Sequence, residues 1–184
     1  DMAVICKGVF PAHGFVPDDK IKIDAGVLVN GQMRTSAADV FAAGDVAEYF
    51  DLSRQKHWVN AIWPEAVSQG RIAGLNMAGQ QISYKGSLSR NVIRIFDTDV
   101  MSAGRVSQRE LDDSCRTAEA FDSRRKTYRK LVFEGNILAG FVLVNHIEQG
   151  GVLASLVRSR AAVDIPDRYL LDPNFNVSRL MRRK

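Results

Sequence analysis

The sequence predicts an α/β segment followed by a small mixed α+β domain that contains an antiparallel sheet and a packed helix. Three observations predict this fold class. Residues 40–43 form a short, continuous apolar run that ends at Gly44, as a central parallel strand does when both of its faces are buried. A long helical pattern follows from Pro64 to about Ala78, and beyond a polar linker the chain consists mostly of strand patterns.

The composition is that of an ordinary globular protein, with 184 residues, 46% hydrophobic and 25% charged, which suffices for one large or two small domains. The formal net charge is +4, but the sequence has no basic stripe interleaved with aromatic residues, so we expect no nucleic-acid partner. No apolar run approaches the length of a membrane span, and no signal-peptide pattern begins the chain, so we expect a soluble protein without a membrane partner.

The cysteines and histidines suggest neither a disulfide framework nor a metal site. Cys6 and Cys115 lie far apart in no metal-ligand spacing, which favours a reducing compartment, with the cytoplasm as the default. His13 and His146 have no ligand spacing with each other or with acids, so we expect no metal.

The first elements are short. Residues 3–6 read as a buried strand that starts without any lead-in, which suggests a chain cut from something longer. Residues 21–23 and 26–29 predict two further short strands, and Asn30-Gly31 supplies a strong turn signal.

The clearest helix begins at Pro64, because proline suits a first helical position, and ends before Gly79. Small and apolar residues recur along it at helical spacing: Ala66, Gly70, Ala73, Gly74 and Met77. We expect that face to pack closely against a sheet.

Beyond the linker, residues 80–90, the pattern predicts five strands: 92–96, 100–106, 117–121, 127–133 and 137–144. Gly135-Asn136 predicts the turn of a hairpin between the last two strands. A helix over residues 149–162 then completes the unit, and the remaining tail is expected to be extended or irregular.

A longer motif includes the apolar run. It reads Thr35-Ser36-Ala37-Ala38-Asp39-Val40-Phe41-Ala42-Ala43-Gly44-Asp45 and resembles the second flavin-binding fingerprint of the glutathione-reductase-like flavoproteins, the FAD-dependent pyridine nucleotide-disulfide oxidoreductases. Two neighbours occur in that family's order. Upstream, Gly8-Val9-Phe10-Pro11 resembles the crossing from the pyridine-nucleotide domain back to the flavin domain. Downstream, Trp63-Pro64-Glu65-Ala66 resembles the start of the flavin-contacting helix.

The resemblance implies a division of the chain into three parts. Residues 1–12 would end the pyridine-nucleotide domain, and residues 13–80 would form the carboxyl-terminal half of a Rossmann-like FAD domain. Residues 87–184 would form a small carboxyl-terminal interface domain, similar to that of NADH:rubredoxin reductases, NADH oxidases and the flavin portion of assimilatory nitrite reductases.

The resemblance also implies the cofactor-binding residues: Ala43, Gly44, Asp45, Trp63, Pro64, Glu65 and Ala66. Asp45 would accept a hydrogen bond from a ribityl hydroxyl of FAD, because a carboxylate offers acceptor oxygens only, and nearby backbone N–H groups would face the pyrophosphate. The simpler interpretation of Gly44-Asp45 is a plain turn in which the acid caps local N–H groups.

The helix start supports a separate hypothesis. Trp63 cannot cap the first-turn N–H groups, so these donors are expected to be free, and the amino end would stabilise negative charge on a reduced flavin. Glu65 complicates this hypothesis, since its carboxylate could satisfy the same donors.

These features predict that the parent protein is an FAD-dependent NAD(P)H oxidoreductase that passes electrons to an unidentified acceptor. The chain has no G-x-G-x-x-G, so the flavin and nicotinamide sites are incomplete, and no catalytic residue is assigned. The alternative is a non-catalytic dimerisation or partner-docking module that does not hold flavin, and we expect the isolated chain to be colourless. A homodimer through the small domain, with its hairpin as a candidate surface, and an electron-transfer protein partner are expected.

Overall fold

The computed structural model describes residues 2–5, 8–17 and 19–176. The chain divides into two compact units, the first formed by Asp1–Asp51 with Lys56–Ser87 and the second by Leu52–Gln55 with Leu88–Lys184. The predicted fold class is confirmed: a partial Rossmann-like segment is followed by a unit with a five-stranded antiparallel sheet and a helix. The assignment of residues 1–12, 13–80 and 87–184 to parts of a larger enzyme stays a prediction.

The first unit contains a small three-stranded sheet. Its strands are β1 (Val27–Leu28), β2 (Ala47–Asp51) and β3 (Lys56–Trp58), in that spatial order. β1 and β2 run parallel, whereas β2 and β3 form an antiparallel hairpin. A compact apolar cluster supports the sheet and includes Val27, Val29, Met33, Ala47, Ala73 and Tyr84.

The prediction of a central strand at residues 40–43 is wrong. Within this run only Phe41 forms a β-bridge, antiparallel to Arg34. Backbone hydrogen bonds tie the run to the preceding loop, since the N–H of Thr35 donates to the Val40 carbonyl and the N–H of Ala42 donates to the Met33 carbonyl. A short 3-10 turn, Gly44–Val46, follows before β2 begins. Gly44 and Asp45 therefore precede a strand and do not lie beyond the carboxyl end of one.

The prediction of a buried strand at residues 3–6 is wrong for the residues that the structure describes, 3–5. Residues 2–5 form no strand, and their large apolar side chains, including Val4 and Ile5, are exposed. An apolar run becomes a buried strand only when a partner strand covers it, and the described residues offer none. Cys6, the end of the predicted strand, lies outside the described residues.

The helix of the first unit is α1 (Trp63–Met77), close to the predicted bounds. Pro64 lies in its first turn and Gly79, with φ +86°, follows its end. The predicted small-residue face is largely wrong, because Gly70, Gly74 and Met77 are exposed. The buried side chains are instead Glu65, Gln69, Ala73 and Asn76. This face is mostly polar, and its polar groups bond to neighbouring segments, as buried polar groups must.

The second unit is built on an antiparallel sheet whose spatial order is β4-β5-β8-β7-β6. Every predicted strand bound lies within two residues of the observed one. The strands are β4 (Arg90–Ile95), β5 (Thr98–Gly104), β6 (Cys115–Asp122), β7 (Thr127–Glu134) and β8 (Ile137–Val144). The hairpin at Gly135-Asn136 is confirmed, since Glu134 pairs with Ile137.

Helix α2 (Gly150–Ser159) packs against β8 and β5 and buries Leu153 and Val157. The expectation of an irregular tail is wrong in part, because a short helix, α3 (Asp167–Leu171), contacts β6 and β7. Leu170 and Phe175 are buried in the same core as Leu153. Their burial explains why this segment is ordered against the sheet.

Candidate cofactor site

The predicted site centres on the sharp turn at Gly44. Ala43 is extended, with φ −153° and ψ 159°, and the chain then reverses at Gly44, where φ is +80°. Such a positive φ strains most residues with a side chain, so glycine is favoured here. The 3-10 turn closes when the N–H of Ala47 donates to the Gly44 carbonyl.

Gln69, which the sequence reasoning missed, holds this turn against α1. Its Oε1 accepts a hydrogen bond from the N–H of Gly44 at 2.8 Å, and its side chain is almost completely buried. The Gly44 amide therefore already has an acceptor and is not a spare donor for a cofactor pyrophosphate. One feature of the sequence could have identified Gln69. Glu65, Gln69 and Ala73 are spaced four residues apart, so they lie on one face of the helix.

Asp45 presents its carboxylate outward. The residue is exposed, and among the described residues we find no hydrogen bond or ion pair to this side chain. If Gly44-Asp45 were only a turn, the Asp45 carboxylate would be expected to accept hydrogen bonds from nearby backbone N–H groups. The N–H of Gly44, however, donates to Gln69. Asp45 thus offers two acceptor oxygens to an external donor.

The amino end of α1 has fewer open donors than we expected. Ile62 precedes the helix and provides no side-chain cap. However, the N–H groups of Glu65 and Ala66 both donate to the Ile62 carbonyl at 3.1 Å, and Pro64 has no N–H. The expectation that all first-turn donors are free is therefore wrong. Only the helix dipole and the Trp63 amide are left to stabilise a negative charge at this end of the helix. Trp63 itself is 82% exposed.

Glu65 points into the core instead of capping the helix. Its side chain is buried, and its Oε2 accepts a short hydrogen bond from the hydroxyl of Tyr84. Tyr84 also receives a bond at its carbonyl from the Tyr49 hydroxyl, at 3.1 Å. The sequence suggested that Glu65 could compete with a cofactor for the N–H donors at the start of α1. In the structure Glu65 bonds to Tyr84 instead.

The predicted residues fall into two groups. Gly44 and Ala66 lie close together, because a Cβ built on Gly44 would stand 3.5 Å from that of Ala66. Asp45 continues the same turn, while Trp63 and Pro64 are exposed on the first turn of the helix. Glu65 is separated from them by its burial.

Ala43 lines a cavity of about 360 Å³ together with four other residues of the fingerprint. Those residues are Thr35, Val40, Phe41 and Ala42. Among the residues that the structure describes, no charged side chain lines this cavity, and the Thr35 hydroxyl bonds locally to the Ala37 carbonyl. This lining suits apolar groups, and the polar groups that the described part of the site offers lie at Asp45 and the start of α1.

Other chemistry finds little support in the part of the chain that the structure describes. No group of three or more His, Cys, Asp or Glu residues in it could hold a metal ion. Across residues 2–5, 8–17 and 19–176, no helix combines the length and apolar character that a membrane span requires. His57 belongs to β3, and its ring centroid lies 6.2 Å from that of Tyr49.

Two family models match the chain in consecutive segments. Residues 1–70 match the pyridine nucleotide-disulphide oxidoreductase family, and residues 90–161 match the rubredoxin NAD+ reductase C-terminal domain. The first match contains the Gly44 turn and the start of α1, and the second contains the five-stranded sheet.

Individual proteins are similar over the same region. The epsilon subunit of NADH-dependent phenylglyoxylate dehydrogenase from Aromatoleum evansii is 28% identical over 94% of this chain and 41% of its own length. NADH-rubredoxin oxidoreductase from Clostridium acetobutylicum is 33% identical over 54% of this chain and 24% of its own length. The crystal structure of NADH:rubredoxin oxidoreductase from that organism superimposes with a TM-score of 0.67 and 26% identity, covering 86% of this chain and 39% of that one. The chain thus spans less than half the length of these relatives.

Proposed function

Because this chain belongs to the pyridine nucleotide-disulphide oxidoreductase family, we propose that it is the carboxyl-terminal part of an FAD-dependent enzyme that oxidises NAD(P)H. The observation that best supports this proposal is the turn at Gly44-Asp45. Gln69 fixes this turn against α1, and the turn leaves the Asp45 carboxylate exposed. When bound, the flavin would itself accept the hydride that NAD(P)H donates. Residues 1–12 then end a nicotinamide domain, residues 13–80 form half of the FAD domain, and residues 87–184 form the small interface domain.

The residues present fit such a cofactor. Asp45 has two acceptor oxygens and no partner among the described residues, which suits the hydroxyl groups of a ribityl chain. Gly44 and Ala66 carry no large side chain, so a ligand can come close to the backbone at this point. Ala43 precedes them in an extended conformation.

The start of α1 is proposed to favour the reduced cofactor. The dipole of a helix stabilises negative charge near its amino end. Trp63 and Pro64 are exposed there, and the buried Glu65 carboxylate is bonded to Tyr84 and does not cap the helix. We expect replacement of Pro64 and Glu65 together to change the flavin reduction potential of the full-length protein. An unchanged potential would remove the helix end from the proposal without touching Asp45.

The test of the main proposal uses the full-length protein that contains this chain. We expect it to purify with bound flavin, whose colour NADH or NADPH bleaches. Asp45→Ala should lower the flavin content, because the ribityl hydroxyls lose their acceptor, whereas Asp24→Ala, at an exposed acid of the same unit, should not. A full-length protein without flavin, or equal flavin content in both variants, would overturn the assignment.

The electron acceptor is proposed to be a separate redox protein. The support is the second family match together with a relative whose name states that it acts on rubredoxin. Stopped-flow reduction of an added rubredoxin by the NADH-reduced full-length protein would test this; transfer no faster than to oxygen would count against it.

The alternative is that this chain by itself is a dimerisation or docking module that holds no flavin. The 184-residue chain alone tests this alternative. We expect this chain to be colourless after incubation with FAD and gel filtration. Retained yellow colour would contradict the alternative and place a sufficient flavin site in these residues.

A further inference from the structure

Arg129, in β7, is a buried cation whose hydrogen-bond acceptors are neutral. Only 5% of the residue is exposed. Its Nη1 donates to Oε1 of Gln149 at 2.6 Å and to the Leu170 carbonyl at 2.7 Å. No carboxylate of the described residues forms an ion pair with it, although buried charges are normally paired. Burial lowers the pKa of Arg129, and the charges of Asp172 and Glu148 oppose this shift without forming such a pair.

One edge of this guanidinium has the two donors that bind carboxylates. Among the residues that the structure describes, neither Nε nor Nη2 of Arg129 has a hydrogen-bond acceptor, and Nη2 is buried. These two nitrogens form a fork that matches both oxygens of a carboxylate. The same protein uses this fork at Arg54, whose Nε and Nη2 donate to the carboxylate of Glu110 at 2.7–3.0 Å. Arg129 has the same donors, and no described carboxylate accepts from them.

A cavity of about 130 Å³ lies beside Arg129, which is one of its wall residues. Part of the wall is apolar and comes from β6, from the end of β8 and from the segment at the end of α3. Its apolar residues include Ala120, Val144, Leu171 and Pro173. All of the wall residues belong to the second unit. This unit therefore forms the cavity without any other part of a longer protein.

The charges of the wall favour an anion. Asp122 and Arg125 both line the cavity and offset each other. The Asp122 carboxylate accepts hydrogen bonds from the amides of Arg124 and Arg125, and one of its oxygens lies 3.9 Å from Nε of Arg125. His146 also lines the cavity and adds no negative charge. Arg129 is the other cation in the described wall, so the net charge of the wall is positive and an anion would compensate it.

We propose that this cavity binds a small organic carboxylate, whose oxygens accept from Nε and Nη2 of Arg129 and whose alkyl chain lies against Val144 and Leu171. A cavity of about 150 Å³ can hold benzene, so this one suits a chain of about four carbon atoms. Because Nη2 is buried, we expect a small rotation of the guanidinium on binding. Inorganic phosphate would leave the apolar wall without a contact. The proposal does not depend on flavin binding.

Calorimetric titration at constant ionic strength tests the class of ligand. We expect butyrate to bind the 184-residue chain at least about tenfold more tightly than butyramide, its neutral analogue, because hydrogen bonds between charged groups are stronger. Butyrate should also bind more tightly than inorganic phosphate. Equal binding of butyramide or phosphate, or no binding of butyrate, would overturn the proposal. The full-length protein should bind butyrate as this chain does; loss of binding there would show that the rest of the protein fills the cavity, and would overturn it as well.

Variants with unchanged circular dichroism spectra test the place of binding. Arg129→Gln removes the fork and should abolish butyrate binding, but it also removes two structural hydrogen bonds. Ala120→Leu keeps the guanidinium and fills the cavity, so it should weaken binding at least about tenfold. Thr117→Leu, at an exposed position of β6 outside the cavity wall, is the matched control and should bind like the unmodified chain. Butyrate binding that Ala120→Leu leaves unchanged would overturn the proposal.

Discussion

The N–H of Gly44 donates a hydrogen bond of 2.8 Å to Oε1 of Gln69, 25 residues further along the chain. This bond joins the turn at Gly44, where φ is +80°, to the buried face of α1. The conformation of Gly44 and Asp45 thus depends on a helix that follows them in the sequence. A substitution in that helix should therefore change the stability of the turn.

Gln69→Leu should expose this dependence. It keeps the side chain's approximate volume but leaves the Gly44 amide without its acceptor, a loss of about 1–3 kcal/mol when the group remains buried. We expect a lower free energy of unfolding in urea and faster hydrogen exchange of the Gly44 amide in NMR spectra. Gln81→Leu, at an exposed position, is the matched control; a Gln69 variant as stable as this control would show that the bond contributes nothing.

Tyr84→Phe removes the hydroxyl that donates to the buried carboxylate of Glu65. Hydrogen bonds to charged groups contribute about 1.5–3 kcal/mol, so we expect a clear fall in the thermal midpoint. Tyr169→Phe alters a tyrosine at the surface of the second unit and should change stability by less than about 0.5 kcal/mol. Equal midpoints for the two variants would contradict a stabilising role for the Glu65–Tyr84 bond.

Gly140→Ala should destabilise the second unit because the added methyl has no room. A Cβ at this position would lie 2.2 Å from the carbonyl oxygen of Arg105, which belongs to the backbone and cannot move aside easily. Overpacking of this kind costs about 1–3 kcal/mol or more. Gly151→Ala, in α2 with open space around it, should be neutral or stabilising by about 0.5–1 kcal/mol. Reversal of this order in urea unfolding would refute the packing argument.

Asp112 should titrate at unusually low pH. Hydrogen bonds from the hydroxyl and the amide of Ser114, with a further bond from Arg105, lower its pKa from 3.8 to about 2. Because the folded-state pKa is depressed, the ionised carboxylate favours folding above about pH 4, and its contribution is lost as the pH falls through 2. The carboxyl carbon shift of Asp112 in NMR should report this midpoint.

Ser114→Ala removes the largest of these interactions, so the pKa of Asp112 should rise toward its ordinary value. Ser107→Ala, in a loop of the same unit, should leave it unchanged. A midpoint that stays near 2 in the Ser114 variant would assign the shift to another group.

Local rules explain what could be read directly from the sequence. Helix α1 begins beside Pro64 and ends before Gly79, because these residues act within one turn of their own position. The hairpin of β7 and β8 likewise follows from apolar alternation around Gly135-Asn136. The fingerprint motif and its order along the chain were sufficient to identify the family.

The tertiary structure alone decided which groups meet. It paired residues 40–43 with the preceding loop and not with a central sheet, and it buried Glu65 and Gln69 where the pattern suggested Gly70 and Gly74. It also folded Asp167–Leu171 into a helix on the sheet. Each outcome depends on a partner distant along the chain, such as Tyr84 for Glu65, because a polar group can be buried only where such a partner compensates for lost water. Sequence periodicity describes one segment at a time and does not contain that partner.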